Sequence, residues 1–241
     1  MKSIHVPRID LRYWSAIALA SVFGTNMGDL YAHESGLGIG LGLVVLALFT
    51  AVVFLAERLE NLRHELYYWL VIIIIRTGAT NIADYLAFRV RIPALALTLG
   101  LAAFIAVFAC LGARNRQTPL GLPQTDASYW LAMLGAGVFG TAVGDICQHV
   151  LGQGAATVGL SILFALALQF VSNRATRFVA VYWITVAIAR TAGTAVGDWL
   201  AENKLLHLGL PLSTLLSGIA FAAVVLFWKS TARSEPVLSK A

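Results

Sequence analysis

Charge is what this sequence has least of. Only 12% of its 241 residues are Asp, Glu, Lys or Arg, about half the ~25% carried by soluble globular chains. The deficit runs along the whole chain and leaves no stretch suited to a solvated domain. Cysteine is almost missing as well. Cys110 and Cys147 form neither a framework nor a C-x-x-C pair. Three methionines are too few for a copper(I) relay. No phosphate-binding glycine loop, nucleophile elbow or H-E-x-x-H occurs, so no enzyme activity and no cofactor are expected. Gly36, Gly38, Gly40 and Gly42 alternate within an apolar run and suggest close helix packing, not nucleotide binding.

What the chain has in place of charge is long apolar runs. Hydrophobic residues make up 59% and the mean hydropathy is +0.80. Eight segments (13–31, 37–57, 66–87, 92–112, 128–148, 153–172, 178–201 and 208–228) each approach the ~20 residues that cross a hydrocarbon core as a helix. The first run has three later versions of itself, which argues against a cleaved signal peptide. The expected fold is an all-α integral membrane bundle of eight helices.

Those versions form an internal repeat. Tyr13-Trp14, Tyr68-Trp69, Tyr129-Trp130 and Tyr182-Trp183 each open an apolar run, and fifteen residues after each Trp stands an Asp: Asp29, Asp84, Asp145 and Asp198. Four of the chain's six aspartates fall in this register; the others, Asp10 and Asp126, lie outside the runs. The residues before each Asp agree: Gly-Thr-Asn-Met-Gly-Asp (24–29), Ala-Thr-Asn-Ile-Ala-Asp (79–84), then Gly-Thr-Ala-Val-Gly-Asp at 140–145 and at 193–198. Copies two and four add Arg76-Thr77 and Arg190-Thr191 upstream, whereas copies one and three read Val-Phe-Gly-Thr. The chain therefore reads as a duplicated pair, residues 1–120 and 121–241, joined near Gln117–Asp126, where Pro119 and Pro123 sit in the longest polar connection.

On these motifs the chain resembles a family of bacterial inner-membrane proteins built from four tandem two-helix repeats, each with a Trp and a Gly-Thr-x-x-Gly-Asp motif, a repeat of unknown function. Copy two departs from the motif, with Ala79 and Ala83 in place of glycines. The resemblance implies the bacterial inner membrane and supplies no mechanism.

Lys and Arg favour cytoplasmic loops. Lys2, Arg8, Arg12, Arg58, Arg63, Arg114, Arg116, Arg174, Arg177, Lys229, Arg233 and Lys240 would lie on one side, 12 of the 17 basic residues. Both termini are thus expected in the cytoplasm. Charge placed this way faces an anionic leaflet and does not form a nucleic-acid footprint. All four hairpins point the same way, which predicts pseudo-symmetry about the membrane normal, with the motif helices (first, third, fifth, seventh) around the axis.

At about 100° per residue, Thr25, Thr80, Thr141 and Thr194 lie close to the angle of their Asp, and Arg76 and Arg190 lie one turn further back. The small residues beside each Thr and Asp make a stripe that lets helix backbones approach. Intramembrane acids cost roughly 2.5–3.5 kcal/mol each on insertion scales and usually serve function. One turn past Asp stand His33, His149 and Glu202, with Phe88 in copy two. Carboxylates with imidazoles suit a first-row divalent metal. The leading expectation is a small-solute transporter, most suited to a divalent cation, with Asp29, Asp84, Asp145, Asp198, His33, His149 and Glu202 as metal ligands and the threonines assisting. A proton-coupled carrier of a small organic anion, read by Arg76 and Arg190, is the first alternative. A non-transporting scaffold, with the polar residues only joining helices, is the second. The expected partners are the lipid bilayer and a small cation or solute, not nucleic acid; a homo-oligomer stays open. The Tyr-Trp pairs are read as interfacial anchors.

Overall fold

The computed structural model describes residues 7–34, 36, 38–59, 65–114, 125–173, 179–204 and 206–228. Among the described residues lie eight α-helices: α1 (Leu11–Glu34), α2 (Gly38–Leu59), α3 (Glu65–Asp84), α4 (Ala94–Arg114), α5 (Ala127–Leu151), α6 (Gln153–Asn173), α7 (Val179–Glu202) and α8 (Gly209–Phe227). A π-helical turn, Tyr85–Arg89, carries α3 onward past Asp84. Every expected helix is present, with boundaries within three residues of expectation.

Local chemistry explains several ends. Asp126 accepts a hydrogen bond from the Tyr129 amide at 2.8 Å, and Asp10 does the same for Tyr13 at 3.0 Å. The two aspartates outside the repeat therefore cap α5 and α1 at their N-termini. Gly152, with φ of 81°, ends α5 in a conformation that side chains avoid.

Seven helices, α2 to α8, are long and apolar enough to cross a membrane; α1 is more polar. The helices fall into two sets. Half or more of α3, α5 and α7 is buried, against under a quarter of α2, α4, α6 and α8. The reason lies in their surfaces: α2 and α6 are apolar on all sides, as helices facing lipid are, while the motif helices carry polar stripes that need shelter. Helices α1, α3, α5 and α7 touch in a closed cycle, α1 to α3 to α5 to α7 and back to α1. Helices α2, α4 and α6 pack chiefly on the motif helix that follows them, and α8 packs on α1. Central position packs α1 against α2, α3, α7 and α8, which buries its Thr25 and Asn26.

The small-residue stripes make the cycle possible. A methyl group added at Gly140 would stand 2.5 Å from Arg190 Cβ and 2.7 Å from its carbonyl carbon, and one added at Gly144 would stand 2.9 Å from Thr194 Cβ. Gly24 abuts the stem of Arg76, and Gly193 abuts Ser21. At one end Arg12 of α1 joins Glu65 of α3 at 2.8 Å and the Val225 carbonyl of α8 at 2.8 Å. The joint at 117–124 and most of the loop cations (Lys2, Arg63, Arg116, Arg174, Arg177, Lys229, Arg233 and Lys240) lie outside the described residues.

Candidate functional site

Residues spaced by four lie close to one helix face, each about 6 Å beyond the last. Counting in fours from each Tyr gives Tyr13, Ile17, Ser21, Thr25, Asp29 and His33 on α1; Tyr68, Ile72, Arg76, Thr80, Asp84 and Phe88 on α3; Tyr129, Met133, Gly137, Thr141, Asp145 and His149 on α5; and Tyr182, Val186, Arg190, Thr194, Asp198 and Glu202 on α7. The four stripes meet inside the cycle and stack in tiers.

The first tier closes one end. The tyrosine hydroxyls form a ring of hydrogen bonds: Tyr13 to Tyr68 at 2.9 Å, Tyr68 to Tyr129 at 2.6 Å, Tyr129 to Tyr182 at 3.0 Å and Tyr182 to Tyr13 at 2.6 Å. Each hydroxyl can donate to one neighbour and accept from the other, so the ring satisfies itself without water. Each Trp packs edge-on against its own Tyr and tilts onto the Tyr of the preceding copy, Trp14 closing the cycle on Tyr182. None of the eight aromatics is more than 9% exposed. This corrects the expectation of interfacial anchors: the pairs face the bundle core, because a phenol with a hydroxyl partner on each side is better satisfied there than at the lipid edge. Above them Ile17, Ile72, Met133 and Val186 make an apolar layer with no exposure at all.

Arg190 and Arg76 occupy the third tier, both fully buried. They sit at equivalent positions yet do different things. Arg190 reaches Ser21 Oγ at 3.1 Å and Met133 Sδ at 3.3 Å, so its guanidinium turns toward the tyrosine end. Arg76 turns the other way. Its Nη1 donates to Thr80 Oγ1 at 2.8 Å and Thr141 Oγ1 at 3.0 Å; its Nη2 donates to Thr25 Oγ1 at 2.5 Å and Thr194 Oγ1 at 2.7 Å. One guanidinium thus engages the motif threonine of all four central helices. Thr25 and Thr194 pass their own protons back to the carbonyls of Ser21 and Arg190, which leaves their lone pairs pointing inward. Among the described residues no carboxylate is in ion-pair contact with either arginine, and the Nε of each has no partner.

The fifth tier holds the acids. Asp29, Asp84 and Asp198 are half-buried and Asp145 is exposed, in contrast to the buried tyrosine tier. Asp29 lies within electrostatic reach of the other three. Gln148, which the sequence reading passed over, donates to Asp198 at 2.6 Å.

The expected metal ligands are brought together only in part. His33 turns its Nδ1 to the Asp29 carbonyl at 2.7 Å, Glu202 accepts from Gln153 at 2.8 Å, and His149 is exposed. Among the described residues no three His, Cys, Asp or Glu side chains form a group able to hold a metal ion.

Comparison with known families finds likeness in two segments of the chain. A family described as Repeat of Unknown Function (DUF347) matches residues 12–59 and 181–234. These are the first and fourth hairpins, and the chain carries this repeat in both. No curated protein and no solved structure matches.

Proposed function

We propose that this chain, a multi-pass membrane protein carrying a repeat of unknown function, is a transporter of small cations whose path is the axis of the four central helices. One observation carries the reading: four copies of one motif put their acids, threonines and tyrosines onto a single column, open at the acids and closed at the tyrosines. Stability alone does not call for partly exposed carboxylates on four central helices, since intramembrane acids are costly. Grouped at a mouth, they raise the local concentration of cations. The apolar tier and the hydroxyl ring beneath then form the closed gate of an alternating-access cycle.

In this reading α1 is the eighth span, tolerated for its central position. The bundle is pseudo-symmetric about the membrane normal, both termini are cytoplasmic and the membrane is the bacterial inner membrane. The acids then face outward. A divalent metal remains one candidate cargo, although the pairing of Asp198 and Glu202 with glutamines and the turn of His33 to its own backbone favour the charge of the solute over any particular metal. A carrier of organic anions is less well served, because all four terminal N–H groups of Arg76 are already taken.

A second reading has its own observation. A guanidinium bonded to four helices is also what a structural clamp needs, and a non-transporting scaffold would use it so. Ligand binding separates the two. The melting temperature of the purified protein is measured with Mn²⁺, Zn²⁺, Co²⁺, Ni²⁺, Mg²⁺, Ca²⁺, Na⁺, K⁺ and small organic cations, for wild type and Asp29→Asn/Asp145→Asn. A ligand at ~100 times its Kd adds about 2.7 kcal/mol, or roughly 5–10 °C for a chain of this size. A cation-selective rise lost in the double variant supports the mouth; no response to any cation favours the scaffold.

A further inference from the structure

The four-threonine ring already holds a ligand, the end of Arg76. We propose that the ring is a binding subsite for a guanidinium-type organic cation, and that Arg76 fills it as a tethered stand-in when no solute is bound. This deepens the transport reading and rests on it.

The geometry of the acceptors supplies the class. A spherical ion needs its oxygens equidistant from one point. Here the four hydroxyls converge in pairs on two nitrogens, Thr80 and Thr141 on Nη1 and Thr25 and Thr194 on Nη2, at 2.5–3.0 Å. That spacing matches the planar fork of a guanidinium. The hydroxyls of Thr25 and Thr194 are committed to backbone carbonyls, so at the centre these two act as acceptors; that suits a donor-only cation and repels an anion.

The tiers set the course of the exchange. Arg76 already points from its own tier toward the acid end, since it bonds Thr80 one turn further on. Asp29, Asp84, Asp145 and Asp198 lie one more turn along, about 6 Å. An incoming cation held at the acids can enter the ring as the Arg76 head moves out among the carboxylates. The ring keeps one positive charge throughout, and the displaced guanidinium gains carboxylate partners it lacks in the closed state. Arg190, fully buried on the tyrosine side, opposes entry of a second charge.

The test uses free guanidinium ion at low millimolar concentration against NaCl of equal ionic strength. In Arg76→Ala the ring is vacated, and guanidinium should raise the melting temperature by several degrees; in Arg76→Ala/Thr25→Val/Thr141→Val it should not. In liposomes, wild type should exchange radiolabelled guanidinium, and Thr25→Val/Thr141→Val should reduce that exchange at least tenfold. A folded Arg76→Ala protein indifferent to guanidinium overturns the proposal. A stabilised variant whose wild type carries no guanidinium also overturns it, leaving the ring a clamp. If Arg76→Ala does not fold even when purified in guanidinium, the wild-type exchange decides alone. Wild type that carries Mn²⁺ or another cation but not guanidinium refutes this inference and keeps the transport reading; wild type that carries no cation refutes both.

Discussion

Replacing Thr141 by Val tests the ring from its weakest point. The side chain is 3% exposed and accepts from Arg76 Nη1 at 3.0 Å, while Nη1 keeps Thr80 at 2.8 Å. Valine nearly preserves the shape and removes one acceptor. Hydrogen bonds between membrane helices average about 0.6 kcal/mol. A charged donor roughly doubles this, and an orphaned buried N–H raises it toward 1.5–3 kcal/mol. The expected loss is therefore about 1–3 kcal/mol, or roughly 2–12 °C in melting temperature at 2–4 °C per kcal/mol. Thermal unfolding in detergent reads it directly. The stricter check is a double-mutant cycle with Arg76→Met: once the guanidinium is gone, Thr141→Val should cost under ~0.5 kcal/mol, giving a coupling near the full single-variant loss. A Thr141→Val shift under about 1 °C, or equal costs in both backgrounds, would refute the claim that this guanidinium organises the bundle.

Other expectations follow from the same tiers. Tyr68→Phe removes the hydroxyl that bridges Tyr13 and Tyr129; it should lower stability by about 1–3 kcal/mol for two broken buried bonds and, if the ring is the gate, raise passive cation leak in liposomes. Gly140→Ala would press a methyl on the Arg190 backbone and should cost roughly 1–3 kcal/mol, measured as melting temperature. Gly100→Ala in α4, where an added methyl meets nothing, should instead be neutral or gain up to about 1 kcal/mol. Asp29→Asn/Asp145→Asn should fold with a melting temperature close to wild type and lose cation binding, because Asp29 is only half-buried and Asp145 is exposed.

Most of the architecture was legible because it rests on periodicity. The Trp-to-Asp spacing located the four motif helices, and the small-residue stripes anticipated their close approach. At 100° per residue Thr and Arg fall beside Asp on one face, and the Arg76 guanidinium meets the motif threonines along that face. What escaped was the partner of each polar group. The Tyr stands sixteen residues before Asp, a multiple of four, and so shares the face of Thr and Asp; that arithmetic was available, but the interface preference of Tyr and Trp masked it. Arg76 and Arg190 looked like an equivalent pair. Their rotamers diverge because the facing residues differ: Ser21 and Met133 draw Arg190 one way, and four threonines draw Arg76 the other. Gln148 and the turn of His33 to its own backbone depend on side-chain torsions that no spacing encodes.

The central claim is that cations move along this column, and flux measures it most directly. Wild-type protein in sealed liposomes is loaded with one labelled cation at a time, guanidinium and divalent metals included, and compared with Asp29→Asn/Asp84→Asn/Asp145→Asn/Asp198→Asn of verified fold. The account predicts saturable uptake of at least one cation by wild type, and loss of that uptake in the variant. Equal flux in both, or none above protein-free liposomes for any cation tried, would contradict it.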